Sequence, residues 1–416
     1  MHIRRSSRGY VLVSKLYSFL SASGRLSWSF YVLLLILVVA LGLRLNGVNW
    51  DQGFGFHPDE RDIYMRSGCM YDLLTTAPDA EQCGYVHAQP DAEPGLPSIG
   101  TLLDIDQSPL NPHWFPLGSI LIYCMVFLRS VAEIFTDLNP FDMRYFGRPL
   151  SALADVGTVA MVFILGRKFY GTGTGLLAAG LTAIAVIHIQ HSHFFRPETF
   201  SVFFTLASFL AMWRMLQRKR LRDSAVLGLL LGLAIAPKVS ILPVLAPLIL
   251  VYWYRVLDEV EDCWANITPG LVGRIFGHGA LAVVVASGVF FISAPYAILD
   301  FGSFADDLSA QTMMASNAGL WPFTIQYVGT PAFVYQIQQS SVWGLGLPLG
   351  VVAWASIPFT AALAVISKKN RRVDLFLLAW VVPGFIFLET FEVHFLRYVF
   401  PLIPAMIILG LSLIHI

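Results

Sequence analysis

The chain has 416 residues, 56% of them hydrophobic and only 13% charged, and its 27 basic residues balance 27 acidic ones. A soluble domain carries roughly 25% charged residues, so this composition speaks against disorder and against a nucleic-acid partner and points to an all-α polytopic membrane protein. Four cysteines without a close C-x-x-C pair exclude a disulfide scaffold or a zinc ribbon, although Cys69 and Cys83 share one polar segment and can pair if it is exported.

Residues 1–25 hold Arg4, Arg5, Arg8, Lys15 and Arg25 and no acid, which predicts a cytoplasmic N-terminal tail. The uncharged run Leu26 to Leu43 is long enough for a first crossing, and no small-residue cleavage site follows it, so it reads as a retained helix. Residues 46–113 are polar, with eleven acids against Arg61 and Arg66, and form an expected external loop. Trp114 to Phe135 is apolar, but counting it as a crossing exports Arg167-Lys168 and the run Arg218 to Arg222, against the tendency of short basic loops to stay inside. The conflict disappears if 114–135 is an interfacial or re-entrant helix that enters and leaves on the outer face.

Later segments then alternate: 146–166, 174–192, 199–216, two short crossings within 224–254 broken at Pro237-Lys238, 275–294, 343–366, 373–389 and 398–416. That predicts about ten crossings, with a second external loop at 295–342 and the acidic Asp258 to Asp262 stretch inside. The sequon at Asn266 falls on the cytoplasmic side and is discarded.

Assigned from Lys and Arg alone, this topology gathers four polar clusters on the outer face. They are His57, Asp59 and Glu60; His191, His193, Arg196 and Glu198; Asp300, Asp306 and Asp307 after Pro295; and Glu392 to Tyr398, with His394 and Arg397. Asp59 and Glu60 can act as general base and partner carboxylate, or be two solvated acids of an acidic loop. Glu198 can be a second carboxylate facing Asp59 and oriented by Arg196, or one half of a snorkelling pair. Arg397, Tyr398 and Lys238 suit a phosphate, and equally suit interfacial anchoring. No cofactor is fixed by the residues; His191 and His193 are candidate ligands for a divalent metal. Trp321, Phe323 and Tyr327 offer aromatic faces for a sugar ring or for the bilayer interface. Asp155 is the chief ionisable group away from that interface.

The acidic pair after the first helix, Arg148-Pro149-Leu150-Ser151-Ala152-Leu153 with the apolar run to Gly166-Arg167-Lys168-Phe169-Tyr170-Gly171, the Arg196-Pro197-Glu198 turn, Pro237-Lys238-Val239-Ser240, and Phe395 through Pro404 together resemble glycosyltransferase family 39. That group comprises protein mannosyltransferases and aminoarabinose transferases, and the resemblance covers most of the chain. It implies a GT-C helical bundle over 26–416 and inverting transfer of a sugar from a polyprenyl-phosphate carrier to a protein, glycolipid or polysaccharide acceptor on the outer face of the cell membrane. It further implies Asp59 as the base with Glu60 beside it, Glu198 as second acid, and Arg397 as phosphate contact; His57, Arg196, Lys238, His394 and Tyr398 complete the expected substrate-binding set. Two departures stand out: His394 occupies a position often held by Lys, and the chain stops at Ile416 where relatives usually continue, so a truncated chain is expected. A secondary transporter or lipid flippase is the main rival, and a non-catalytic scaffold the third reading.

Overall fold

The computed structural model describes residues 28–75, 98–260 and 268–413, which contain helices and loops and no strand. The N-terminal tail, Cys83 and the sequon asparagine lie outside the described residues. In chain order the helices are α1 (Trp28–Leu45), α2 (Pro58–Thr75), α3 (Ile99–Leu103), α4 (Ser119–Ala132), α5 (Arg144–Tyr170), α6 (Thr172–Ile184), α7 (Val186–Ser192), α8 (Pro197–Arg218) and α9 (Leu221–Ile235). They continue with α10 (Leu245–Val260), α11 (Pro269–Ser293), α12 (Tyr296–Leu299), α13 (Phe301–Ser316), α14 (Val334–Gln339), α15 (Leu347–Ile366), α16 (Arg371–Leu388), α17 (Leu396–Val399) and α18 (Ile403–Ser412).

Local chemistry sets the boundaries. α8 starts on Pro197, whose missing N–H costs nothing at a first helical position, with Glu198 in the turn where the helix dipole favours a carboxylate. α9 stops before Pro237 because proline's ring clashes with a preceding helical turn, and a 3₁₀ segment at Val239–Val244 leads into α10. α11 is capped by Thr268, whose hydroxyl accepts the Leu271 N–H at 3.2 Å. α9 and α11 approach so closely that a side-chain carbon at Gly228 would lie 2.4 Å from the Ala282 carbonyl oxygen, the small-residue contact on which intramembrane helix pairs rely.

Among the described residues six helical stretches are long and apolar enough to span a membrane, namely 28–45, 140–170, 197–218, 239–260, 269–293 and 347–366, and α6 with α7, bent by 58°, makes a seventh if counted as one span. The other segments expected to cross are shorter, broken or charged at one end. α9 has only 15 residues, α16 opens with Arg371, Arg372 and Asp374, and α17 and α18 are separate short pieces. α18 is buried on every side, and Phe209, Phe376 and Trp380 pack edge to face beside it at 5.2 and 5.6 Å, with Trp380 Nε1 donating to the Pro401 carbonyl at 3.2 Å. A helix apolar all round is a core helix as readily as a lipid-facing one.

The charge sorting has a spatial counterpart. At one end of the bundle Lys168 donates to Gln217 at 3.0 Å, Lys219 pairs with Glu259 at 2.9 Å, and Arg372 pairs with Asp258 at 2.7 Å. At the other end Arg144 Nε donates to Asn49 Oδ1 at 2.8 Å, which places the start of α5 beside the loop that follows α1. The chain therefore enters and leaves α4 at the same end of the bundle. α4 lies against α2, where Arg129 donates to the Gly68 carbonyl at 3.3 Å and pairs with Asp72 at 3.2 Å. Cys69, on α2, is disulfide-bonded, while its expected partner Cys83 lies outside the described residues; Cys124 is free.

Candidate active site

The loop after α1 is fastened by one arginine. Buried Arg148, in the second turn of α5, donates to both oxygens of Asp51 at 2.9 and 2.8 Å and to both oxygens of Glu60 at 3.0 and 2.7 Å. Burial works to raise the Asp51 carboxyl, but the Arg148 bonds and charge and the Gly53 N–H hold it below its ordinary range. Glu60 Oε1 also accepts the Tyr64 hydroxyl at 3.0 Å and the Phe195 N–H at 2.9 Å. Glu60, expected beside Asp59 in the catalytic pair, is thus a buried brace whose oxygens are already occupied.

The brace fixes Asp59 in the first turn of α2. Its Oδ2 lies 2.9 Å from Arg196 Nη2 and 3.4 Å from Arg397 Nη1, in ion pairs whose angles fall short of hydrogen bonds. Arg196 Nη2 also donates to Glu198 Oε1 at 2.9 Å, and Lys238 Nζ reaches the same oxygen at 2.7 Å, leaving the buried Oε2 without a hydrogen-bond partner. The Arg397 guanidinium rests over Phe395 at 4.2 Å, and Lys238 lies 5.6 Å from the Tyr398 ring centre. Three cations thus face two carboxylates, a surplus of positive charge that a phosphate can take up.

His57 Nε2 is 3.2 Å from Arg196 Nη1. Burial, reinforced by the Arg196 charge, pushes its pKa down to about 4, so at neutral pH the imidazole is uncharged and accepts from the arginine. In the unfolded chain the group titrates near 6.5. The unfolded state therefore binds the extra proton first on acidification, and native stability falls as pH drops from about 6.5 toward 4. Thermal unfolding in detergent is expected to show a larger loss of Tm between pH 7 and pH 5 for the parent than for His57→Gln; equal losses would contradict the assignment.

The charged cluster closes one end of a cavity of about 300 Å³. Arg196, Glu198, Lys238, Arg397 and Tyr398 line that end, and Phe115, Leu242, Phe290, Phe304, Leu308 and Phe391 are among its apolar walls. Asp300, Asp306 and Asp307 do not join the site. Asp300 caps α13 and accepts from Asn111 at 3.0 Å, Asp307 accepts the Phe115 N–H at 2.8 Å, and exposed Asp306 lies on the same helix, so two of the three tie the first loop to the cavity wall.

Other expected residues also stand elsewhere. His394 is buried 3.9 Å from Glu389 and packs beside Tyr335 and Tyr327, outside the cavity lining. His191 Nδ1 is 2.9 Å from the Ile187 carbonyl oxygen and its ring stacks on Phe400 at 4.5 Å. His193 has each ring nitrogen 2.7 Å from a backbone carbonyl oxygen, those of Ile189 and Asn46. Among the described residues no three His, Cys, Asp or Glu side chains stand close enough to hold a metal. Trp321 and Phe323 stack on each other at the surface, and Tyr327 is buried against Phe395 at 5.2 Å.

Sequence reasoning gave no role to Arg148 and Asp51, and it missed a second buried network. Arg44 Nε lies 2.6 Å from Asp155, and His188 Nδ1 lies 2.7 Å from the other Asp155 oxygen, all three fully buried. The signal was present: an ionisable group in an apolar run implies a partner, and Arg44 closes the first span while Asp155 interrupts another.

Residues 124–293 match the family described as dolichyl-phosphate-mannose-protein mannosyltransferase, a stretch that contains Arg196, Glu198 and Lys238 but neither Asp59 nor Arg397. In structure the chain is similar to the oligosaccharyltransferase AglB of Archaeoglobus fulgidus, determined with an inhibitory peptide and a dolichol-phosphate, at 14% identity and a TM-score of 0.51 over 94% of this chain and 50% of that one. It is equally similar to ArnT from Cupriavidus metallidurans bound to undecaprenyl phosphate, at 15% identity and a TM-score of 0.51 over 99% of this chain and 61% of that one.

The chain has the GT-C glycosyltransferase fold. It spans about half the length of AglB. A comparison with curated protein sequences gives no match. Within this GT-C bundle the four segments that carry Asp59, Arg196 with Glu198, Lys238 and Arg397 meet at one end, where the apolar cavity ends on charge.

Proposed function

We propose that this GT-C protein transfers a sugar from a polyprenyl-phosphate carrier to a hydroxyl of a protein, glycolipid or polysaccharide acceptor, with inversion, at the outer face of the cell membrane. One observation carries the reading: the Asp59 carboxylate held by Arg196 and Arg397 at the charged end of an apolar cavity. The carriers named with the AglB and ArnT structures, dolichol-phosphate and undecaprenyl phosphate, join a phosphate to an apolar chain, as this cavity joins a charged end to apolar walls.

In the proposed step the acceptor oxygen attacks the anomeric carbon, its proton passes to Asp59, and the bond from that carbon to the phosphate oxygen breaks with both electrons leaving on the polyprenyl phosphate. Charge stays balanced throughout. The donor phosphodiester brings one negative charge to three cations and two carboxylates. After transfer Asp59 is neutral, and the released phosphate monoester carries up to two negative charges. Lys238 and Arg397 then hold the charge that develops on the leaving group. Attack from the side opposite the phosphate inverts the anomeric centre.

The outer-face assignment draws on the sorting of Lys and Arg and on the Cys69 disulfide, since such bonds persist in oxidising compartments. A cysteine introduced at Asn139 is expected to react with an impermeant reagent from outside intact cells; labelling only after lysis would overturn the orientation. For the reaction, the purified full-length protein is reconstituted with radiolabelled polyprenyl-phosphate sugars and the membrane fraction that contains its acceptor. Transfer with an inverted anomeric linkage is expected. Retention of configuration, or no transfer and only ordinary phospholipids among the co-purifying lipids, would refute the proposal.

A further inference from the structure

The proposed reaction needs an acceptor on the side of Asp59 away from the carrier. Arg196 and Arg397 line the cavity and Asp59 does not, so the two arginines stand between the cavity and the carboxylate. On the approach to Asp59 the loop after α1 displays a run of rings. Phe54 and Phe56 stack at 5.5 Å with planes 15° apart, Phe56 lies 6.3 Å from Trp50, Trp50 lies 5.6 Å from Phe194, and Phe194 lies 4.5 Å from His57, two residues before the carboxylate. Phe54 is 69% and Phe56 64% exposed.

This loop is stiff. Gln52, Gly53 and Gly55 have φ of +53°, +88° and +60°, a left-handed path that two glycines make affordable. Beneath it the Arg148 guanidinium lies 5.1 Å from the Trp50 ring centre while gripping Asp51 and Glu60. Burying one arginine and two carboxylates is a heavy investment for a surface loop. Bilayer anchoring by aromatic residues requires none of it, because any interfacial ring in any orientation serves.

We infer that Trp50, Phe54, Phe56 and Phe194 form the acceptor platform, and that the acceptor hydroxyl belongs to a saccharide. This rests on the reading of Asp59 as the base. Phe54 and Phe56 lie near-parallel and exposed, so an outward ring face can meet the flat C–H face of a pyranose, and exposed Gln52 and Arg61 beside them supply partners for its hydroxyls.

The test uses the full-length chain in lipid nanodiscs, an array carrying cell-envelope oligosaccharides alongside Ser- and Thr-containing peptides, and undecaprenyl phosphate as a separate probe. The double variant Phe54→Ala/Phe56→Ala removes two exposed rings and is expected to fold with the parent's Tm. The parent is expected to bind a subset of the glycans, and the double variant to bind each of them at least about tenfold more weakly, a loss of about 1.4 kcal/mol. Undecaprenyl phosphate binding should be unchanged. Binding of peptides in place of glycans, binding of no glycan, or equal glycan binding by parent and double variant would overturn the platform. A lowered Tm with intact glycan binding would make the rings a membrane anchor and also overturn it. A parent that binds no undecaprenyl phosphate would instead count against the carrier reading, whatever the array shows.

Discussion

Asp59→Asn is expected to reduce sugar transfer by about 10²–10⁴-fold, the range that a positioned general base contributes. The amide has the size of the carboxylate and leaves the brace of Arg148, Asp51 and Glu60 untouched. Arg196 keeps Glu198 and His57 as partners, and Asp59 is about one-quarter exposed, so little stability depends on it. Because the lost carboxylate competes with phosphate for Arg397, carrier binding should be retained or strengthened. The informative comparison is kcat for transfer against KM for the donor: the first should collapse while the second stays level or falls. Activity within twofold of the parent would remove Asp59 from the chemistry. A raised donor KM with normal kcat would make it a binding residue.

Arg44→Met is expected to cost about 3–5 kcal/mol of stability, because it leaves Asp155 buried without its arginine. The cost is large because Arg44 does more than pair. It also donates to the carbonyl oxygens of Ala183 at 2.8 Å and Ala40 at 3.1 Å, so it pins the end of α1 to α5 and to the last turn of α6. For a chain of 416 residues about 1 °C of Tm is lost per kcal/mol. Adding Asp155→Leu in the same chain should recover part of the loss, since it removes the buried carboxylate but leaves the His188 imidazole without its partner. A single variant as stable as the parent, or a double variant no better than the single, would show that the network does not hold these helices together.

What the sequence disclosed was mostly one-dimensional. The sorting of Lys and Arg separated the two ends of the bundle, and the Pro237-Lys238 interruption marked the break that puts a lysine beside Glu198. One error has a geometric cause. Asp59 and Glu60 are neighbours in sequence, but successive residues of an α-helix point about 100° apart, so one faces the cleft and the other the core. Hydropathy cannot separate a helix wrapped in lipid from one wrapped in protein, so the sequence did not disclose that the neighbours of α18 bury it on all sides. The Arg148 brace escaped notice because its partners lie 97 and 88 residues away, and no periodicity links them. His394 carried the same ambiguity, since a polar residue next to Arg397 can face the cavity or Glu389.

Asp59 and Arg397, whose charges lie within 3.4 Å of each other, are separated by 338 residues of chain. At a synthesis rate of roughly 5–20 residues per second, Asp59 waits about 20–70 s for the arginine to be made. Through that interval Glu198 and Lys238 can already find each other, but the cluster lacks its third cation. The site is therefore completed only when α17 and α18 dock against helices made before them. Loop closure over such distances is slow, and a nascent chain arrested before α17 would carry α1 to α16 without the complete charged site.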